Sequence, residues 1–268
     1  LDYTYIAEGI NVPDLTRKQI EDHLKVMGYI NLQAYDLVGI DLSGADLRGA
    51  NLSGSNLNGA NLSKAALVDA FLLDVNLSQA NLAGADLTEA DLSGTTKLSG
   101  ADLRGTILER ANLEGANLDQ ANLAGANLNQ ANLTRANLSQ ATLAGTDLLS
   151  GANLSQAKLN EARLNSANLS GATLRGADLG RASLNQANLK GVDLRGAILR
   201  EADLSQANLV EADLGRADLQ EANLCGADLS QVILRGASLR EAKYNQHTKW
   251  PKGLMPNVAG AVLVDPPG

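Results

Sequence analysis

Two histidines, His23 and His247, and one cysteine, Cys225, are the side chains of this sequence best suited to nucleophilic, general-base or metal chemistry. Such chemistry needs its partners within hydrogen-bond reach of one another. The histidines sit near opposite ends of a 268-residue chain, with none between them. A Ser/His/Asp arrangement therefore has no histidine to use over most of the chain. A single cysteine excludes an internal disulfide framework and any cysteine-rich metal centre. Carboxylates are plentiful, at 30 Asp and Glu. They recur so regularly that neighbouring pairs are inevitable, and they are read as a solvated lattice. The 26 glycines are spread singly, so no Gly-rich loop opens a helix to cradle a phosphate. The sequence thus predicts no catalytic, cofactor-binding or metal-ligating residues, and no enzyme.

What would position any site is a repeat. From Leu32 a leucine returns every fifth residue to Leu92, slips by one to Leu98, and runs on to Leu148. A second slip leads to Leu154, and the beat then holds to Leu239, with Tyr244 taking the leucine place in the last unit. About 43 units cover Asn31 to Gln246. Two residues before each leucine stands a small residue, nearly always Ala, and the residue directly before it is usually Asn or Asp. A period of five matches neither the 3.6 of a helix nor the 2 of a strand, so neither would keep the leucines on one face. A chain that turns a corner once per unit would do so. Leucine and the alanine two before it then point inward, and the turn-forming residues point outward.

Composition agrees with such a rod. Aromatic residues are 3% of the chain, too few for a core of mixed large side chains. A formal net charge of −8 disfavours direct nucleic-acid binding, which needs a basic surface. No apolar run approaches the roughly 20 residues that span a bilayer.

The units ADLRG, ANLSG, ANLSQ and ADLTE resemble the pentapeptide-repeat family, whose pattern is A(D/N)LXX. The resemblance implies an all-β fold, a right-handed quadrilateral β-helix with four units per coil and about 11 coils here. Where the five-residue beat starts, slips and stops predicts a domain layout. Residues 1–30 form an N-terminal cap with one short helix from about Arg17 to Met27. Residues 31–246 form the β-helix, interrupted near 95–97 and 149–151, and 247–268 form a C-terminal cap and tail. The helix is expected because Thr16 and Gln19 have capping-box spacing, Ile20, Leu24 and Met27 recur at helical spacing, and Gly28 follows. Pro251 and Pro256 are expected to end the ladder, and Tyr244 and Trp250 to plug the last coil. The tail is similar to the ends of cyanobacterial members.

Two surface features stand out. Val68, Phe71 and Leu73 flank Leu67 and Leu72 at places that should face water, an apolar patch that either the N-terminal segment (Tyr3, Tyr5, Ile6) or a partner would cover. With four units per coil, Arg175, Arg195, Arg216 and Arg235 form a basic column beside Leu174, Leu194, Leu214 and Leu234. The adjoining side carries Glu161, Glu201, Glu221 and Glu241, interrupted by Arg181. Cys225 should point outward.

The reading of function is a non-enzymatic scaffold presenting flat faces to an unknown protein partner, with no cofactor, no direct nucleic-acid contact and no membrane span; the oligomeric state is left open. The alternative is a DNA mimic acting on a type II topoisomerase, as the resemblance allows. The chain begins at Leu1 without a visible signal segment; a cytoplasmic location is expected, or the thylakoid lumen or periplasm if a leader has been removed.

Overall fold

The computed structural model describes residues 16–20, 22, 30–146 and 151–264. From Asn31 onward the chain pairs with itself in parallel at a separation of 20 residues, as in Asn31 with Asn51 and Asn61 with Asn81. Four five-residue units therefore make one coil, and four faces rise along the rod. The first face runs through Asn31, Asn51, Phe71 and Asp91 to Ile233, and the second from Asp36 to Ser238. The third runs from Asp41 to Lys243, and the fourth includes Asp46, Ala66, Ile107, Asn208 and Lys249.

The unit is defined by where its backbone N–H groups go, and Asn132–Ala136 shows all five. Asn132 donates to Ala111 of the coil before (2.9 Å), and Leu133 and Arg135 to Asn153 and Ser155 of the coil after (2.7 and 3.0 Å). Ala136 donates to the Leu133 carbonyl, closing a four-residue turn (3.0 Å). The remaining N–H, that of Thr134, has no backbone partner and donates instead to Asn132 Oδ1 (3.1 Å). Asn or Asp before each leucine is thus an acceptor for the donor that coil stacking leaves out. Asn does more. Its amide reaches back to the carboxamide or carboxylate 20 residues earlier, as Asn76 to Asn56 and Asn188 to Asn168 (both 2.9 Å).

Each turn has its third residue at φ near +60° and its second in the ordinary region, the type II pattern. Glycine holds many of these places, but Gln130, Arg135, Glu161 and Ser166 adopt the same conformation. A left-handed non-glycine residue costs about 1–2 kcal/mol. Repetition of the ladder bonds on both sides of every turn over-determines the corner and sustains that cost.

Inside, the described leucines that keep the five-residue beat from Leu42 to Leu229 are fully buried among the alanines, with no more than 1% of their surface exposed. Where a hydroxyl replaces the alanine methyl it folds back onto the turn, as in Thr106 Oγ1 to the Leu103 carbonyl (2.7 Å) and Ser55 Oγ to that of Leu52 (2.6 Å).

At the first slip the pairing distance lengthens to 21, as in Asn76 with Lys97. Thr95 donates its N–H and hydroxyl to Asp74 Oδ1 (2.7 and 2.8 Å). The buried Thr96 hydroxyl reaches the Leu72 carbonyl (2.9 Å), one coil back. The same device recurs near the C-terminus, where Thr248 Oγ1 reaches the Leu224 carbonyl (2.9 Å) and the pairing again lengthens, Asp228 with Lys249. Residues 147–150, within the second slip, lie outside those described.

The ends differ from expectation in one respect. Pro251 and Pro256 do not terminate the ladder. They lie in the looped segment between Lys249 and Gly260, where no pairing N–H is required, and the chain then returns. β1 (Lys243–Tyr244) pairs in parallel with β2 (Val262–Leu263), and Glu241 donates to the Gly260 carbonyl (2.7 Å). Tyr244 and Trp250 meet edge to face over the last leucines, their rings 5.5 Å apart. At the N-terminus residues 17–20 and 22 are helical. Thr16 and Gln19 exchange the capping-box bonds, Thr16 N–H to Gln19 Oε1 (2.8 Å) and Gln19 N–H to Thr16 Oγ1 (3.4 Å). Ile20 is buried in the core. The expected continuation through Leu24, Met27 and Gly28 lies outside the described residues.

Leu113→Lys should place an uncompensated charge on the axis and destabilise by about 3–5 kcal/mol. Glu114→Lys, on the exposed neighbour, should cost under about 0.5 kcal/mol. Equal thermal shifts for the two would contradict the inward placement. Gly171 has φ +67° and open space where a Cβ would stand. Gly171→Val should therefore lower stability by about 1–2 kcal/mol through backbone conformation alone. Ser170→Val should cost under about 0.5 kcal/mol. Unchanged melting of Gly171→Val would show that the turns tolerate any residue.

Candidate functional site

The arginine column is built on the corner of the first face. In consecutive coils the two residues after the leucine read Arg175-Gly176, Arg195-Gly196, Gly215-Arg216 and Arg235-Gly236. One coil has the pair inverted. At Gly215 no side chain projects, and the gap between Arg195 and Arg235 opens a groove of about 610 Å³. Arg175, Arg195, Asp213, Arg216, Ile233 and Arg235 line it. A Cβ at Gly215 would lie 3.0 Å from Asp213 Oδ1, the atom that accepts the Gly215 N–H at 2.9 Å.

The four guanidiniums are not equivalent. Arg195 is held by both oxygens of Asp193 and lies 3.5 Å from Asp213 Oδ2, and Arg175 lies 4.0 Å from Asp193. Arg216 and Arg235 have no acidic partner among the described residues. All four arginines are exposed. The hydrogen bond from Arg195 holds the Asp193 carboxyl below its ordinary value, partial burial opposing it and the Arg195 N–H adding to it. The expected glutamate side is different. There Arg181 is clamped between both oxygens of Glu201 (3.0 and 3.2 Å), and Glu161 accepts from Gln140 (3.1 Å). Arg240 pairs with Glu241 (3.3 Å). Glu161 and Glu221 accept from the neutral Gln140 and Gln220, so this side keeps a negative excess, whereas the first face carries an excess of positive charge at Arg216 and Arg235.

Of the apolar patch, Phe71 is 56% and Leu73 41% exposed, while Val68 is half-buried. The structure places Phe71 and Leu73 on the first face and Val68 on the adjoining fourth. Tyr3, Tyr5 and Ile6 lie outside the described residues, as does His23. Cys225, expected to face solvent, is half-buried, and burial with the nearby Asp203 carboxylate pushes its thiol up. His247 is exposed. Among the described residues no three His, Cys, Asp or Glu side chains gather as a metal would require, and no helix is long and apolar enough to cross a membrane. Sequence reasoning found the column but missed the notch; the inverted Gly215-Arg216 order was its visible sign.

The family model "Pentapeptide repeats (8 copies)" matches this sequence in successive stretches from residue 36 to residue 243. The chain belongs to the pentapeptide-repeat family. Among solved structures it is similar to HetL of the cyanobacterium Nostoc sp. strain PCC 7120, a pentapeptide-repeat protein involved in regulating heterocyst differentiation. The identity is 39%, over 85% of this chain and 96% of that one, with a TM-score of 0.33. It is also similar to Rfr23 of the cyanobacterium Cyanothece 51142, at 33% identity over 48% of this chain and 90% of that one, TM-score 0.25. QnrB1, a plasmid-mediated fluoroquinolone resistance protein, aligns at 18% identity over 89% and 92%, TM-score 0.33. A comparison with curated protein sequences gave no match. As a pentapeptide-repeat protein, the chain uses the family unit both to build its core and to set the spacing of its surface arginines.

Because Asp193 is depressed in the folded state, its contribution is present above the ordinary value of 3.8 and is lost as pH falls through the folded value. Asp193→Asn should lower stability by under about 1 kcal/mol at neutral pH, since the pair is partly exposed. Near pH 3 the difference from the parent should shrink. A difference that grows on acidification would reverse the assigned sign.

Proposed function

We propose that this chain is a non-enzymatic interaction scaffold whose lateral faces dock a protein partner. One observation carries the reading: the interior is filled by stacked leucines, while a row of guanidiniums stands on one outer corner, two of them, Arg216 and Arg235, without an acidic partner among the described residues. A rod with a solid axis has its sides and ends for recognition, and fixed charges at strand spacing give a partner register as well as attraction. The coil is right-handed in this reading, and the helical turn at 17–20 caps its first coils. Arg17 supports the cap, approaching Ser43 Oγ (3.5 Å) and Asp41 (3.9 Å).

DNA mimicry is the weaker reading for this chain. Duplex DNA carries one charge per ~1.7 Å of axis, so a mimic needs a dense acidic face. This chain has a net charge of −8 and sets Arg175, Arg195, Arg216 and Arg235 on one corner. Rotating the rod meets Arg181, Arg200 and Arg240 instead.

The purified protein should leave gyrase supercoiling unchanged at micromolar concentration. It should also retain, from an extract of its source cell, a protein that the variant with all four groove arginines changed to Glu does not hold. Inhibition of supercoiling at low protein-to-enzyme ratio would overturn the scaffold reading in favour of mimicry.

A further inference from the structure

The C-terminal end of the rod closes unevenly. The tail extends the second face through Gly260 and the third through β2. The first face gains no further rung: its last unit is Val232–Gly236, and no described residue follows it in that ladder. The segment between Lys249 and Gly260, whose Trp250 and Leu254 pack on the core, makes no backbone bond to it. In every earlier coil of this face the leucine and the residue two beyond it donate to the next coil, as Leu214 does to Ile233 (2.8 Å) and Arg216 to Arg235 (2.9 Å). Leu234 and Gly236 hold the same places and have no acceptor among the described residues. A third donor joins them. The N–H of Arg235 would be accepted by Asn or Asp two residues before, but Ile233 stands there and offers no oxygen. The Val232 carbonyl is likewise without the donor that Asp213 supplies to Val192 (2.9 Å).

Around this open edge the side chains are as selective as the backbone. Arg216 and Arg235 lack acidic partners among the described residues, and both line the groove that ends at Gly236. Ile233 is 53% exposed on the same edge. Leu234 is half-buried, unlike the leucines below it.

We propose that this edge and groove form a docking site for an extended acidic segment of a partner protein, added as one further strand on the first face. The proposal rests on the scaffold reading and names the chemistry of the partner. The segment accepts from the Leu234 and Gly236 N–H groups and donates to the Val232 carbonyl, continuing the parallel ladder. Register then fixes its side chains. One apolar residue lies over Ile233, the next points inward over Leu234, and the third is Asp or Glu beside Arg235 and Arg216. Charge complementarity selects an acidic occupant, because two guanidiniums here are uncompensated while the chain as a whole is acidic. The edge is one unit long, which suits a single extended strand rather than the broad face of a second rod. The pattern expected of the partner is two adjacent apolar residues followed by an acidic one and a small one.

The probe is a fluorescein-labelled peptide of sequence Ser-Asp-Ile-Leu-Glu-Gly-Asp-Ser, with binding read by anisotropy on the full chain. Replacing its Glu by Gln should weaken binding about tenfold through loss of the charge-assisted contact. Replacing its Ile by Pro, which removes the N–H aimed at Val232, should weaken it comparably. Arg216→Gln with Arg235→Gln should also lose about tenfold, whereas Arg48→Gln with Arg104→Gln, the same charge change elsewhere, should shift affinity less than about twofold. Circular dichroism and melting of each variant check that the rod is intact.

Equal losses in the two double variants would reduce the effect to general electrostatics and overturn the site. Indifference to the proline peptide would overturn strand addition. Tighter binding of a single-stranded oligo-dT of matched charge, or a concentration-dependent dimer that the peptide fails to dissociate, would assign the edge to nucleic acid or to a second copy. A cellular partner that survives Arg216→Gln with Arg235→Gln would leave the scaffold reading standing while removing this site from it.

Discussion

The structure depends on finding an acceptor for every backbone N–H in a five-residue unit that turns a corner. Stacking supplies acceptors for three donors and the turn for a fourth. The fifth, on the residue after the leucine, faces outward at the corner and can bond to no neighbouring coil. The side chain two residues before it supplies that acceptor, and this requirement places Asn or Asp there in unit after unit. Leucine burial provides the driving force, at roughly 1.5–3 kcal/mol per side chain before conformational entropy is subtracted. Burial alone would accept many corner geometries. The Asx bond, the ladder and the type II turn together select one.

The same constraint explains where the repeat tolerates error. A one-residue insertion lengthens the pairing from 20 to 21 for the one coil that spans it, from Asn76 with Lys97 to Asp91 with Asn112, and the distance then returns to 20. At the first slip the Thr96 hydroxyl adds a second donor to the Leu72 carbonyl, beside the Val75 N–H (3.4 Å), and near the C-terminus Thr248 does so for Leu224, beside the Ala227 N–H (3.0 Å). Alanine at either place would remove the hydroxyl that ties the irregular turn to the coil before it. An irregularity in the leucine beat is thus answered by a hydroxyl one coil away.

Much of this was legible in the residues. The leucine beat fixed the inward positions, and Thr16 and Gln19, spaced as in a capping box, exchange its bonds. The prolines misled, because a proline excludes pairing only at the residue that must donate, and the chain loops between Lys249 and Gly260 before it pairs again. The arginine column could be placed once four units per coil were assumed. Its unequal charge could not, since Asp193 and Asp213 neutralise Arg195 through rotamers that spacing does not reveal. Half-burial of Cys225 escaped for a similar reason: its place follows a leucine and reads as outward, yet neighbouring coils rise on both sides of it.

The regularity of the unit also makes its exceptions informative. Ile233 departs from Asn or Asp and frees the Arg235 N–H; Gly215 departs from arginine and opens the notch beside it; and the tail adds rungs to the second and third faces but none to the first. Each departure has a cost that the family unit would avoid: an unaccepted donor, a lost side-chain contact, an open edge that invites unwanted pairing. Ile107 and Ile198 also replace the acceptor, but in mid-rod, where the coil beyond them is present. At Ile233 the same replacement coincides with a missing coil and two unpaired guanidiniums. Replacements of the acceptor are scattered along the rod, at Ala66, Phe71, Lys97 and Lys158 as well as at the isoleucines, but among the described residues it is at Ile233 that one meets both a missing rung and two unpaired guanidiniums.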